Sequence, residues 1–429
     1  MRPSCPKPAA WSPLTSTFAL TELLKAPVVD SSGVVAGRVR EVALCPQDDP
    51  IRISALVVRA RSGVDHLLAL AEVESINAAV RVRSKAGDWP ALSSTEGLLL
   101  LERDLLDQQI IDVHGRKVVR VNDVDLQQDL SNHQLALKLA AVDVGARGAV
   151  RRLLKGLVPG AALRGLLRKI PERMIPWEFV DLIETDPARR VKLKISHDRL
   201  AKLHPADIAD IVEELAPAER EAVFETLDEE VAAEALEEIQ PKLQRSIVES
   251  LDSDRAADIV EEMDPDAAAD LLGDLSEKRS QEILEEMEPE QREEVSELLE
   301  FKEDTAAGRM TTEYLALPSS ATVADAIDHL RKFEGGIESL STIYLIDKDG
   351  KLVGAVPLSK LVLASQDTPL ISLTTDPLIS CHAGCTEKDV AELFDKYNLL
   401  TLPVVDTEGL LTGVITADDV ISILRAKVK

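Results

Sequence analysis

Carboxylates are the side chains whose type and spacing in this sequence could do chemistry. The stretch IVEEMDPDAAADLLGDL, from Ile259 to Leu275, places acidic residues along two short apolar helical patterns separated by one proline. Asp266 and Asp270 stand four residues apart, so they project from one side of a helix. Carboxylate oxygens are the ligands that hard divalent cations prefer. The alternative is a solvated acidic surface, which is what most charge runs are.

The acidity is concentrated in one segment. The chain of 429 residues has a formal net charge of −27, and residues 198–304 hold 36 Asp or Glu against 10 Lys or Arg, a net of −26. Such a segment repels itself, and salt screens this repulsion only beyond ~8 Å. A hard divalent cation that bridges facing carboxylates relieves it. We therefore predict cations or basic partners and no nucleic acid, since a protein that binds phosphates needs a basic face.

Chain length, cysteine content and the lack of long apolar runs limit the classes of protein to which this sequence can belong. The length fits about three domains, and four cysteines make no disulfide framework. No run approaches the ~18–20 apolar residues of a membrane span, and the N-terminus has no signal-peptide pattern. We expect a cytoplasmic protein without a transmembrane segment. We also expect no enzyme, because neither a Gly-x-Ser-x-Gly motif nor a Walker loop nor a paired-histidine site occurs.

The acidic segment repeats every twelve residues. Eight short apolar runs recur at this period, and a proline recurs every twenty-four. Each unit fits about nine helical residues and a tight turn, so two units form a helical hairpin that must stack on the next. We predict a right-handed all-α superhelix of hairpins. The runs end at Leu215, Leu227, Ile239, Leu251, Met263, Leu275, Met287 and Leu299, and the prolines are Pro217, Pro241, Pro265 and Pro289.

A duplicated β unit precedes the helices. VVDSSGVVAGRVREV from Val28 and IIDVHGRKVVRVNDV from Ile110 match at an offset of 82, each with a turn at a glycine and a β-branched run. The pair resembles the PRC-barrel family over residues 17–146, which implies a docking module for a protein or a membrane surface. The alternatives of one barrel or two, and of a plain β scaffold, stay open.

Residues 147–195 form a predicted basic linker. Its charge could contact anionic lipid or lie against the acidic segment downstream, and we favour the intramolecular contact because the opposite charge is close in sequence. The basic residues are Arg147, Arg151, Arg152, Lys155, Arg164, Arg168, Lys169 and Arg173.

The chain after Asp304 contains two α/β units. Each has an extended stretch, a helix and two β-rich runs, joined by turns at Asp349-Gly350 and Glu408-Gly409. The pair resembles tandem CBS domains, over residues 305–368 and 369–429. Together with the helical domain, residues 196–304, and the junction EDTAAGRM, it resembles the cytosolic half of MgtE-type magnesium transporters. The predicted fold class is thus multidomain α+β.

The resemblance implies a homodimeric magnesium sensor that joins the acidic helical domain to the CBS pair. The family continues beyond the position of Lys429 into a membrane domain, so we expect the sensor without its channel. The metal ligands that it implies, as weak sites, are Asp266, Asp270, Asp418 and Asp419. Residues of other types stand in place of family acids at Thr386, Lys388, Asn398 and Ser422.

The CBS resemblance also implies an adenine-nucleotide site. GVITADD places Gly413, Thr416 and Asp419 at the spacing of that motif, whereas the first unit has Pro357 and Lys360 in the matching places. Our leading hypothesis is a non-catalytic magnesium-responsive regulator. The alternatives are a nucleotide-binding CBS regulator and a ligand-independent scaffold.

Overall fold

The computed structural model describes residues 16–131, 134–154, 167, 170–184, 186, 188, 197–302, 304–333 and 340–421. The chain divides into two compact units, Met1–Asp228 and Glu229–Lys429. In the described residues, no helix is both long enough and apolar enough to cross a membrane. The division falls inside the predicted helical repeat.

Strands dominate the first unit. The strands are β1 Ser16–Ala19, β2 Pro27–Val29, β3 Val35–Leu44, β4 Ile53–Ala60, β5 Asp65–Ala69, β6 Val73–Ile76, β7 Val80–Val82, β8 Leu99–Leu100, β9 Gln109–Asp112, β10 Lys117–Arg120, β11 Asp123–Ser131, β12 Gln134–Asp143, β13 Met174–Pro176 and β14 Val180–Leu182. They form three sheets, with the orders β5-β4-β3-β2-β7-β6 with β8 on β3, β1-β11-β12-β13, and β10-β9-β14. Short helices α1 (Leu20–Leu23), α2 (Leu101–Asp104) and α3 (Ala146–Leu154) lie between strands.

The two copies of the β unit share one hydrophobic core. Val28 and Val42 of the first copy and Ile110 and Val124 of the second are buried in the same cluster. Both predicted turns are present. Gly33 takes the left-handed conformation in the first turn, but Arg116 takes it in the second. The duplication therefore produces a single core, and the PRC-barrel resemblance remains a prediction.

The predicted linker is wrong for residues 174–182. Strand β13 pairs with β12, and β14 pairs with β9. Trp177, between these strands, is buried in the core of the β region, and its indole N–H donates to the backbone oxygen of Pro50 over 3.2 Å. The segment MIPWEFVDL, which begins at Met174, thus completes the sheets of this region.

The predicted partner of the basic stretch is also wrong where the structure describes it. Arg151 of α3 lies 3.2 Å from the Asp123 carboxylate and 3.4 Å from that of Asp143, both on strands of the β region. Arg152 pairs with Asp107. The contacts are intramolecular, but they join the β region rather than the acidic segment. Four of the basic residues lie outside the described residues: Lys155, Arg164, Arg168 and Lys169.

All eight predicted helices of the acidic segment are present. Prolines at the first helical position begin five of them, because proline lacks the N–H that a helix start leaves unpaired. The first unit contains α4 (Pro205–Glu214) and α5 (Pro217–Phe224). The second contains α6 Glu229–Glu237, α7 Pro241–Ser250, α8 Ser253–Glu261, α9 Pro265–Asp274, α10 Glu277–Glu286 and α11 Pro289–Leu299.

The helices of the second unit stack with the period that the sequence predicts. Helix α6 packs on α8, α8 on α10, α7 on α9 and α9 on α11. The residues that make this core recur every twelve positions because each helix offers the same face to its neighbour. Buried examples are Ile247, Ile259, Leu271, Ile283 and Val295.

The CBS region has the predicted β-α-β-β arrangement twice. In the first copy, β15 (Leu315–Pro318) pairs parallel with β16 (Thr342–Ile346), which pairs antiparallel with β17 (Leu352–Pro357). In the second, β18 (Cys381–His382), β19 (Thr401–Val405) and β20 (Leu411–Thr416) repeat this order. The helices are α12 Val323–Leu330, α13 Leu358–Leu363 and α14 Glu387–Tyr397. Gly350 and Gly409 have positive φ in the two hairpin turns.

Candidate metal centre

Two helix N-termini of the second unit bring carboxylates together. Helix α9 begins at Pro265, with Asp264 as its N-cap residue and Asp266 in its first turn. A second helix begins directly after β20 and is described over residues 417–421, so Asp418 and Asp419 also lie in a first turn. The positive end of the helix dipole favours a carboxylate at each of these positions.

We term Asp264, Asp266, Asp418 and Asp419 the acidic cluster, and the pKa of three of them is raised. Burial raises the pKa of Asp266 well above its usual range, and the charges of Asp419 and Asp264 raise it further. Burial also raises the pKa of Asp419 to about 6, against hydrogen bonds from Thr416 and with the help of Asp418. Burial raises the pKa of Asp264, and Asp418 adds to the rise. The cluster therefore contains carboxylates of α9 and of the second CBS domain that repel one another.

Asp270, the other predicted ligand on α9, binds an arginine instead of lying in the acidic cluster. Its Oδ2 accepts a hydrogen bond from Arg309 Nη1 over 2.5 Å. The same guanidinium donates through Nε to Glu387 Oε1 over 3.2 Å. Of the four predicted metal ligands, the structure thus brings Asp266, Asp418 and Asp419 into the acidic cluster and pairs Asp270 with an arginine.

The described residues form no closed protein cage for a metal, so a magnesium ion at the acidic cluster would have to keep most of its water shell. Within the described ranges, no three His, Cys, Asp or Glu side chains lie close enough to form a ready metal-binding group. Mg²⁺ retains several waters and is commonly held by only one or two carboxylates. A cavity of about 60 Å³, lined by Asp266 and Asp270 among other residues, has room for water beside the cluster.

The predicted nucleotide residues are only partly brought together. Thr416 donates its hydroxyl and its backbone N–H to Asp419 Oδ2, over 2.6 and 2.9 Å. Gly413 instead allows a close backbone approach, because a Cβ there would lie 2.6 Å from the Met310 side chain and 2.9 Å from the Thr311 oxygen. The threonine and the aspartate are paired, and the glycine serves packing.

The positions that lack family acids have structural roles in this chain. Thr386 caps the N-terminus of α14 in a reciprocal capping box with Asp389. Asn398 ends that helix in the left-handed conformation, at φ 50°. Lys388 pairs with Glu392 one turn along, at 3.6 Å. Ser422 lies outside the described residues.

Sequence reasoning missed Asp264 and Arg309, and it favoured a solvated surface position for Glu237. Glu237, at the end of α6, accepts the backbone N–H of Asp264 over 2.8 Å, and Glu261 repeats this contact to Glu288 one repeat later. Burial, followed by the charge of Asp264, raises the pKa of Glu237 to about 8 against that hydrogen bond. The available signal was the 24-residue spacing of the two glutamates, which places both in equivalent positions.

The Glu237 carboxylate should make stability depend on pH. Its folded pKa of about 8 exceeds its ordinary 4.5, so the folded protein binds more protons between these values and loses stability as the pH rises through them. Glu237→Gln keeps an oxygen that accepts the Asp264 N–H and removes the charge. It should stabilise the protein at pH 8.5 by about 1–2 kcal/mol, which is less than the whole pKa shift corresponds to because the side chain is partly exposed.

Thermal melting followed by circular dichroism at 222 nm, at pH 5 and pH 8.5, measures this effect. Glu285→Gln is the matched control, since Glu285 is an exposed helical glutamate. A gain in Glu237→Gln that is equal at both pH values would contradict the assignment.

Comparisons with known proteins agree with the geometry of the helical and CBS regions. A family model described as the MgtE intracellular N domain matches residues 203–304. A model of the CBS domain matches residues 305–367 and 371–426. The two models adjoin each other in the order in which the helices and the two β-α-β-β units occur.

Two curated relatives are magnesium transporters. The magnesium transporter MgtE of Thermus thermophilus is 35% identical over 136 residues, 32% of this chain and 30% of the transporter. The Enterococcus faecalis transporter of that name is 32% identical over 131 residues, 30% and 29% of the two chains. The chain thus spans under a third of the length of these curated relatives.

A solved structure covers more of the chain. The crystal structure of the soluble part of a magnesium transporter superposes with a TM-score of 0.52 at 26% sequence identity, over 54% of this chain and 92% of the other.

Proposed function

Because this chain carries the MgtE intracellular N domain followed by a pair of CBS domains, we propose that it is a non-catalytic regulatory protein that responds to magnesium. In this proposal Mg²⁺ attaches α9 of the helical domain to the second CBS domain at the acidic cluster. The observation that supports the proposal is that carboxylates at two helix starts, Asp264 and Asp266 on one and Asp418 and Asp419 on the other, lie near enough to raise one another's pKa.

The electrostatics of the cluster supply the driving force. Burial and neighbouring carboxylates raise the pKa values in the acidic cluster, so the metal-free arrangement contains unrelieved repulsion. When Mg²⁺ is bound it supplies positive charge between the two elements and keeps part of its water shell. The two helix starts then hold the same relative position at lower electrostatic cost, and the attached arrangement gains population.

The size of the response depends on the number of ions. An ion present at ten times its Kd stabilises the bound arrangement by roughly 1.4 kcal/mol. Moving a population from 1:99 to 99:1 needs about 5.5 kcal/mol, or roughly four such ions. A segment as acidic as residues 198–304 has the carboxylates for several weak sites. A protein that uses fewer ions would respond in part.

We propose that the protein forms a homodimer through its CBS domains. Helix α13 exposes two large apolar side chains, Val362 at 85% and Leu363 at 89%. Leu400 and Ile421, on the second CBS domain, are also largely exposed. Burying such groups between two copies would remove apolar surface from water. The β region would then be available to dock a further protein or a membrane surface.

An adenine-nucleotide regulator is the second candidate. The observation that favours it is the pairing of Thr416 with Asp419 at the start of a helix, because a hydroxyl and backbone N–H groups there can bind a phosphate. The same carboxylate belongs to the acidic cluster, so nucleotide and Mg²⁺ would compete for Asp419 or share it.

Thermal melting of the full chain should separate the two functions. We expect millimolar Mg²⁺ to raise Tm by roughly 2–6 °C, the range for about one to two kcal/mol in a unit of this size. Potassium chloride at equal ionic strength should have little effect, because screening alone does not bridge carboxylates. A larger rise with a magnesium-free adenine nucleotide than with Mg²⁺ would favour the second candidate. No rise with either would leave a scaffold.

A further inference from the structure

The segment that joins the helical domain to the CBS pair is attached to the second CBS domain by its backbone. The Ala306 N–H donates to the Cys385 oxygen over 2.7 Å, and the Ala307 N–H donates to the Ala383 oxygen over 3.0 Å. Thr311 exchanges two backbone hydrogen bonds with Val414 of β20. The position of this segment relative to the second CBS domain is therefore fixed without any ion.

Arg309 extends from this fixed segment towards the helical domain. It ends the short helix Ala307–Arg309. Its guanidinium lies between Asp270 of α9 and Glu387, the first residue of α14, and is hydrogen-bonded to both. The Arg309 side chain is 26% exposed, that of Glu387 16% and that of Asp270 45%. The ion pair with Glu387 is therefore partly shielded from water, whereas the ion pair with Asp270 is more open to solvent and weaker.

A guanidinium held between two carboxylates of different elements does what a bridging cation does. It neutralises charge on both elements and holds them at a fixed separation, and its planar donors suit carboxylates. Unlike an ion, it cannot dissociate from the chain. Without it, Asp270 and Glu387 would add their charges to a part of the molecule that already contains the acidic cluster.

We infer that Arg309 is a built-in counter-cation that takes the place of a metal ion between α9 and the second CBS domain. The inference deepens the proposed function and rests on it, because it states which attachment is permanent and which is left to Mg²⁺. Asp270 belongs to the permanent attachment, and the acidic cluster provides the magnesium-dependent one. The chain should therefore keep part of its closed arrangement without magnesium.

Replacing Arg309 by methionine tests whether the attachment through Arg309 is independent of magnesium. Methionine keeps an unbranched apolar side chain and removes the charge. Phe301, just after α11, is 42% exposed and offers a chymotrypsin site. In EDTA, chymotrypsin should cleave Arg309→Met after Phe301 roughly three- to ten-fold faster than the wild type, the effect of losing both ion pairs of Arg309. In excess Mg²⁺ the difference should fall below about two-fold, because the released carboxylates now accept an ion. Arg309→Lys, which keeps the charge, should lie between the two.

Arg331→Met is the control, because Arg331 forms an exposed ion pair with Asp328 on its own helix end, at 3.2 Å. Cleavage of Arg309→Met at the wild-type rate in EDTA would overturn the inference. Fast cleavage of Arg309→Met that magnesium does not slow would also overturn it, because Arg309 would then be a packing residue only. A third outcome separates the two proposals. If magnesium slows the cleavage of Arg309→Met but not that of the wild type, the proposed function is rejected and the inference is supported.

Discussion

Replacing Arg151 by methionine should destabilise the first unit by about 3–5 kcal/mol, the usual cost of removing one partner from a buried ion pair. The Arg151 side chain is 13% exposed, and those of Asp123 and Asp143 are fully buried. Asp123 also accepts the Thr21 hydroxyl over 2.6 Å, so it is held in place when the guanidinium is lost. Two buried carboxylates would then lack their shared counter-charge.

The loss should shrink at low pH. Burial already raises the pKa of Asp143, and removal of the guanidinium raises it further. The folded variant therefore binds protons more readily than its unfolded chain, and its stability recovers as the pH falls. Urea unfolding at pH 8 and pH 5, followed by tryptophan fluorescence, measures this effect. All three tryptophans precede residue 229, so the signal reports the first unit.

Arg40→Met provides the matched control in the same region. Arg40 is 54% exposed and lies 3.6 Å from Asp65, so its loss should change the free energy of unfolding by less than about 0.5 kcal/mol. Equal effects of the two substitutions would show that Arg151 is dispensable to the fold. The basic stretch would then be available for a lipid surface, as the sequence alone allows.

Replacing Asp266 and Asp419 together by asparagine should have opposite effects without and with magnesium. Without the ion, the variant should melt several degrees above the wild type, because repulsion worth about 1–2 kcal/mol is removed from a partly buried cluster. The asparagine introduced by Asp419→Asn can still accept the hydrogen bonds of Thr416 through its amide oxygen. With Mg²⁺, most of the wild-type rise in Tm should be lost.

A control with the same change in net charge separates this local effect from a general one. Asp274→Asn with Glu408→Gln alters two exposed residues, one at the end of α9 and one in the β19–β20 turn. Far-ultraviolet circular dichroism melts of both variants, with EDTA and with Mg²⁺, measure the comparison. The control should keep the wild-type rise in Tm with Mg²⁺. A rise in the cluster variant as large as that in the control would exclude the acidic cluster as the magnesium site.

The sequence predicts the helical and CBS elements well because their signals are local and repeated. The twelve-residue period fixes both the helix ends and the buried face, as Ile247, Ile259 and Leu271 show. The hairpin glycines Gly350 and Gly409 mark turns that the structure contains. The resemblance to known families adds the order of the domains. None of these signals requires knowledge of a distant contact.

The remaining features depend on contacts that sequence distance conceals. Arg151 was predicted to meet the acidic segment because summed charge favours it, but Asp123 and Asp143 are closer in the fold and are buried. The pairing of Asp270 with Arg309 joins residues 39 positions apart. Spacing along a helix predicts which carboxylates share a face. It does not predict whether an arginine from another element reaches one of them.

Hydrogen exchange of the full chain, measured by mass spectrometry with EDTA and with excess Mg²⁺, tests the central claim most directly. Magnesium should slow exchange in two segments: residues 265–274, which form α9, and residues 411–421, which form β20 and the start of the next helix. We expect exchange to slow by roughly five- to ten-fold in both, the effect of binding one to two ions. The Asp266→Asn/Asp419→Asn variant should show neither change. Exchange that is identical with and without magnesium in both segments of the wild type would contradict the proposal that the ion joins them.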